Sequence, residues 1–232
     1  MEDNIQITIT SEDGEKHTSS FAKSTISINE KMIYQTPKVK YKIIAIVGAS
    51  GSGKTTIVNK LKECTTISPH YLTFSTSRPR RDEETDADYH FYTKKEFENL
   101  INNDALTQCT SFNNWYYGLE KIELNQERVN VGVFSPIALK ELKQKLGNET
   151  ELKIFYIYTS DKERLKRSLN REKNPNVNEI VRRYISDKED IDNFCNYFYP
   201  LYSVLNNETE IEFNNCIDII KNAIQTMAFG QL

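Results

Sequence analysis

No stretch of this sequence approaches the roughly 18 consecutive apolar residues of a membrane-spanning helix, so no span is expected. The opening residues, MEDNIQITIT, carry acids and alternation where a secretory signal would carry basic residues and an apolar run. Cysteine is sparse: Cys64, Cys109, Cys195 and Cys216 are too scattered for metal-type pairs and read as reduced thiols of a cytosolic protein. An excess of basic charge is also missing. The net charge is -3 and the pI about 5.8, which argues against a general nucleic-acid binder. Internal repeats and long low-complexity tracts are absent as well. What remains is a cytoplasmic chain of 232 residues, 38% hydrophobic, enough for one sizeable core and a small appendage.

Residues 1 to 40 form an N-terminal extension of different character. IQITIT and STISIN each alternate as half-buried strands do, with SEDG as a turn, so the segment is expected to be a small hairpin or a polar tail. From Tyr41 the pattern becomes strand then helix, repeated. YKIIAIV reads as a buried strand, with a helix after it through about Cys64. YLTFSTS, ALTQCTSF, VNVGVF and LKIFYIY read as further strands, and SVL as a short last one. TKKE, from Thr93 to Glu96, is a capping box opening a helix to about Asn102. Ser135 and Pro136 start another helix, which Gly147 closes. Two more helices are expected from Ser160 to about Arg171 and from about Val177 to Phe198, and a final one capped by Asn214 or Asn215. Buried strands alternating with amphipathic helices predict an α/β fold, a parallel sheet covered by helices on both faces.

The eight residues Gly48-Ala49-Ser50-Gly51-Ser52-Gly53-Lys54-Thr55 match the phosphate-loop pattern G-x-x-x-x-G-K-S/T, with a strand before and a helix after. Glycines let backbone N–H groups turn inward around phosphate oxygens, and the helix N-terminus adds its positive end. Lys54 is placed to bridge the β- and γ-phosphates and the Thr55 hydroxyl to ligate Mg²⁺. The expected ATP-binding set is thus Gly48 to Thr56, with ATP and Mg²⁺ as cofactors. Downstream, STSRPRRDEETDADYHF packs Arg78, Arg80 and Arg81 beside acids and Tyr89. Arginine forks grip phosphate bidentately, so the stretch reads either as a second phosphate site or as a solvated charge cluster.

TSRPRR, DADYHF and NNWYYG occur in the order of the T-S/T-R-x-x-R, D-Y-x-F and Y-Y-G motifs of the guanylate kinase family, which the chain resembles from about residue 41 to 228. The resemblance implies a P-loop core (41–232) with a small acceptor-binding region at about 74–125 and a helical lid at about 160–198. It implies that Arg78, Arg81, Tyr89 and Tyr117 hold the acceptor phosphate. It implies that Arg167, Arg171 and Arg183 close over the ATP phosphates and, with Lys54, serve catalysis. The alternative for each lid arginine is a surface ion pair with Glu163, Glu172 or Asp187. Asn206 falls where the family places an asparagine near adenine, and Asn207 is an equal candidate.

Four positions depart from the family. Where it reads guanine with a serine, a glutamate, a second serine and an aspartate, this chain has Phe74, Gln108, Leu119 and Phe134. The phosphate contacts are kept and the base contacts are lost. Taken alone, the Gln108 amide offers one donor and one acceptor, matching N3–H and O4 of a pyrimidine. The expected function is therefore ATP-dependent phosphoryl transfer to a (deoxy)nucleoside monophosphate with altered or relaxed base specificity. Alternatives are a genuine GMP/dGMP kinase, a phosphosugar kinase resembling the ribose 1,5-bisphosphate kinases, and a non-catalytic guanylate-kinase-like binding module. The intact Lys54 speaks against the last. The expected partner is a small nucleotide or phosphosugar, with no nucleic acid and no membrane.

Overall fold

The structure is a computed structural model that describes residues 4–10, 16–22, 39–64, 68–80, 84–171 and 174–230. It divides into two compact units, Met1–Pro37 and Lys38–Leu232. In the first, β1 (Asn4–Thr10) pairs antiparallel with β2 (Lys16–Ala22), Asn4 opposite Ala22 and Thr10 opposite Lys16. The partner of the first strand is therefore Lys16–Ala22, and STISIN lies outside the described residues.

In the larger unit β3 (Tyr41–Val47) is the central strand of a five-stranded parallel sheet. It lies between β10 (Thr150–Tyr158) and β9 (Val129–Val133); β11 (Tyr202–Asn206) and the two-residue β4 (His70–Tyr71) form the edges. The alternation in YKIIAIV sends its side chains to two different cores. Ile44 and Ile46 pack with Ile57 and Leu61 of α1 (Lys54–Lys62) and with Ile217, Ile220 and Ile224 of α6 (Glu210–Phe229). Ile43, Ala45 and Val47 pack with Leu139 and Leu142 of α3 (Pro136–Leu146) and with Phe194 and Phe198 of α5 (Val177–Phe198). Burying each large side chain contributes roughly 1.5–3 kcal/mol. Both faces of the sheet are covered, as the alternation predicts.

A second sheet is mixed, in the order β6-β5-β8-β7. It contains β5 (Phe74–Thr76), β6 (Tyr89–Phe91), β7 (Leu106–Phe112) and β8 (Trp115–Glu120). One face is covered by α2 (Lys94–Asn102), whose Phe97 is fully buried and stacks on Tyr116 at 5.5 Å. The Thr93–Glu96 capping box that opens α2 is present with both of its bonds.

Three boundaries differ from the expectation. YLTFSTS is not one strand: Leu72 N donates to Val131 O beside β9, after which the chain crosses to the second sheet as β5. SVL belongs to a longer strand, Tyr202–Asn206, which pairs parallel with β10. Finally, α6 begins at Glu210, not at an Asn214 or Asn215 cap. Thr209 accepts from Glu212 N and Glu212 caps Thr209 in return, and this reciprocal box satisfies the helix end five residues before Asn214.

Candidate active site

The phosphate loop runs from the buried end of β3 to the first turn of α1. Two of its glycines lie in the left-handed region, with φ of 78° at Gly51 and 90° at Gly53, a conformation that side chains disfavour. Both also sit where a Cβ has no room. At Gly51 it would lie 2.7 Å from Arg164 O, and at Gly53 it would strike the Asn207 amide. The loop is thus pressed against α4 (Asp161–Asn170) on one side and the end of β11 on the other.

A cavity of about 850 Å³ opens over the loop, and it is lined by six basic and three acidic side chains. The basic ones are Lys54, Arg164, Lys166, Arg167, Arg171 and Arg183. That imbalance, with Ser50, Gly51, Gly53, Thr55 and Thr56 in the wall, suits a polyphosphate. Gly48, Ala49 and Ser52 lie behind this lining, and the buried Ser52 carbonyl accepts from Asn207 Nδ2 at 2.7 Å. No group of three or more His, Cys, Asp or Glu that could hold a metal occurs among the described residues. The exposed Thr55 hydroxyl at the start of α1 fits a Mg²⁺ held chiefly by phosphate oxygens.

Lys54 folds back so that Nζ donates to Ala49 O at 2.8 Å. Burial lowers its pKa to about 8; the charge of Asp187 acts against that fall and the charge of Arg164 adds to it. Arg167 donates to Glu163 at 3.1 Å and to Asn207 O at 2.9 Å, and Arg183 to Glu179 at 2.7 Å. Hydrogen bonds from Arg182, and then from Arg183, lower the Glu179 carboxyl to about 2. Arg167 makes the expected ion pair with Glu163, Arg183 pairs with Glu179 and with none of the three carboxylates expected, and both still line the cavity.

Of three further residues at this site, Arg164 was not singled out in the sequence, Asp187 was expected only as a surface partner of a lid arginine, and Asn207 stood as an equal candidate beside Asn206. Arg164, only 8% exposed, sends Nε to Ser50 O at 2.9 Å and Nη2 to Asp187 at 2.9 Å. Asp187, on α5, accepts from Ser50 N at 2.6 Å, so a carboxylate occupies a backbone donor of the phosphate loop. Asn207, buried, bonds the loop directly, whereas Asn206 is exposed and outside the cavity lining. The doublet Asn206-Asn207 was the available signal for the third. Nothing in the spacing distinguishes Arg164 from its basic neighbours.

On the second sheet Arg78 grips Glu84 with both nitrogens, at 2.9 and 2.8 Å. Its guanidinium lies 5.7 Å from the centre of the Tyr89 ring. Burial opposes its charge, but the Glu84 hydrogen bonds and the Glu84, Tyr117 and Tyr89 charges raise its pKa on balance. Arg78, Tyr89 and Tyr117 therefore form one cluster. Arg81 lies outside the described residues. Of the four base-pocket positions, Leu119 and Phe134 are sealed in the core at 0% and 1% exposure. Phe74 packs edge-on against Phe134 at 5.1 Å. Gln108, 4% exposed, donates Nε2 to Glu141 of α3 at 3.3 Å, and its Oε1 has no partner.

A family model described as guanylate kinase matches residues 40–226. The chain is 27% identical over 186 residues to a guanylate kinase of Fusobacterium nucleatum, covering 79% of this chain and 97% of that protein. It is 29% identical over 217 residues to one of Mycoplasma genitalium, covering 87% and 86%. The crystal structure of guanylate kinase from Anaplasma phagocytophilum superposes with a TM-score of 0.58 at 18% identity, over 84% of this chain and 89% of that one, a likeness of fold. No helix among the described residues is long and apolar enough to cross a membrane.

Proposed function

Because the chain belongs to the guanylate kinase family, a family of nucleoside monophosphate kinases, we propose that it transfers the γ-phosphoryl group of ATP to GMP. The observation that carries this reading is the pairing of a cation-lined phosphate loop with a separate Arg78–Tyr89–Tyr117 cluster in one fold. An acceptor phosphate oxygen attacks the γ-phosphorus in line as its bond to the β-phosphate oxygen breaks, and ADP leaves. Little covalent chemistry falls to the protein, so positioning and charge neutralisation carry the catalysis. Lys54 and the loop amides would hold the donor phosphates, while Arg167, Arg171 and Arg183 would neutralise charge on the transferred group. Arg78, Tyr89 and Tyr117 would fix the acceptor phosphate. The Thr55 hydroxyl would help to hold a Mg²⁺, which would supply further charge neutralisation.

A second reading, relaxed base specificity or a phosphosugar acceptor, is favoured by Phe74, Leu119 and Phe134, whose apolar rings and chain replace polar base contacts. The family model and the relatives named above are described as guanylate kinase and lend it no support. The purified protein should be incubated with ATP, Mg²⁺ and a panel of GMP, dGMP, other nucleoside monophosphates and ribose phosphates, with ADP followed. GMP-dependent ADP formation is expected. A different acceptor ahead of GMP would select the second reading, and ADP formation with none would defeat both.

A further inference from the structure

We propose that Arg182 is a positioning residue that ties the donor cavity to the acceptor cluster, by seating α5 on the ring of Phe112 at the tip of the β7–β8 hairpin. This rests on the two-site phosphoryl-transfer reading above. A stiff turn makes the seat. Asn113 and Asn114 join the strands with φ of 49° and 65°, the left-handed pair of a type I′ turn, which sets Phe112 directly opposite Trp115. The Phe112 ring is left 44% exposed, and the Arg182 guanidinium lies over it, 5.2 Å from the ring centre. A cation in that place is attracted by the negative face of the ring.

Strand register carries the contact toward the acceptor cluster. Phe112 is opposite Trp115 and Thr110 is opposite Tyr117, so Phe112 and Tyr117 share one side of the sheet as diagonal neighbours, about 7–8 Å apart. Arg182 therefore approaches the sheet on its Tyr117 side. The Glu179 hydrogen bonds raise the Arg182 pKa against the opposing effect of burial, and the charges of Glu179, Tyr117 and Asp187 add to the rise. One guanidinium thus feels groups of both sites.

The link to the donor side is Glu179. Arg182 grips Oε2 with Nε at 2.7 Å and Oε1 with Nη2 at 2.9 Å, and Arg183 donates Nε to the same Oε1 at 2.7 Å. Glu179 and Arg183 line the donor cavity, and Arg182 does not. Spacings of three and four residues bring both arginines to the one carboxylate on a single helix. Whatever fixes Arg183 at the donor phosphates therefore fixes Arg182 over Phe112, where it adds positive charge beside the acceptor phosphate. A plain surface ion pair with Glu179 would need no aromatic seat.

Trp115, the single tryptophan of the chain and the cross-strand partner of Phe112, supplies the readout. Its emission should change on saturation with ATP, although no residue of the hairpin lines the donor cavity. Arg182→Gln should abolish that change while calorimetry still records ATP binding. Arg182→Lys, which keeps a cation over the ring, should retain it. ATP should also tighten GMP, by a factor that falls about two- to fivefold in Arg182→Gln and in Phe112→Leu, the worth of an exposed cation–π contact. The double variant should lose no more than either single one, because each removes the same contact, and Tm should be unchanged in all. Additive losses in the double variant overturn the proposal, as does a Trp115 emission that ATP leaves unmoved in the wild type or still moves in Arg182→Gln. If GMP is neither bound nor phosphorylated, the acceptor reading fails and the emission change alone decides the seat. Its loss in Arg182→Gln would sustain the proposal, and its persistence would end it.

Discussion

The donor site takes its loop from consecutive residues between Val47 and Lys54, whereas the acceptor cluster draws Tyr89 from β6, Tyr117 from β8 and Arg78 from the segment that follows β5. The first is made by backbone: two glycines in the left-handed region, a buried strand at one end and a helix start at the other. The second is made by side chains that already satisfy one another, with Arg78 forked onto Glu84. A backbone cradle is pre-organised and varies little with side-chain chemistry. A side-chain cluster depends on register, and its specificity can be rewritten residue by residue. The two halves should therefore respond differently to mutation.

The largest effect is expected on the donor side. Lys54→Ala should lower kcat by about 10²–10³-fold, as loss of a preorganised charge donor does, with the circular dichroism spectrum unchanged. Turnover within twofold of wild type would remove Lys54 from the chemistry. On the acceptor side, Arg78→Ala should cost about 1.5–3 kcal/mol, read as a roughly 10- to 100-fold rise in the GMP KM at constant ATP KM. Should ATP binding fall instead, the two phosphate sites are assigned the wrong way round.

Smaller effects sharpen the contrast. Asp187→Asn removes a negative charge from the donor cradle and should tighten ATP by about 1 kcal/mol, roughly fivefold, in a direct binding titration. Weaker binding would mean that the carboxylate supports the loop and does not compete with phosphate. The least effect is a fraction of a proton. Lys54, at about 8 in place of the ordinary 10.5, is largely neutral in the free protein above pH 8, and bound phosphates should raise it again. ATP binding at about pH 9 should therefore take up a proton, and at about pH 6.5 none, as measured by calorimetry in buffers of different ionisation enthalpy. Equal uptake at both pH values would refute it.

Legibility in the sequence follows the same division. The phosphate loop, the Thr93–Glu96 box and the alternation of YKIIAIV depend on neighbours within a few residues, and all three could be read directly. Asp187 could not, since 137 positions separate it from Ser50 and only the packing of α5 brings them together. The same holds for Gln108 and Glu141, 33 positions apart, whose contact forms only once α3 packs against β7. WYYGLE was not expected as a strand because its two tyrosines face opposite ways. Tyr116 stacks on Phe97 under α2, and Tyr117 points to the opposite face, opposite Thr110 in the register. Composition alone does not separate those roles.

The carboxylate at Ser50 N makes nucleotide capture an exchange of anions. Asp187 is a tethered counter-ion, delivered by α5 at an effective concentration no free ion reaches, and it keeps the buried Arg164 neutralised while the cradle holds no phosphate. Phosphate and carboxylate cannot share that N–H, so each displaces the other. Linkage then requires reciprocity: whatever draws α5 onto the loop must weaken nucleotide binding by the same factor that nucleotide loosens α5.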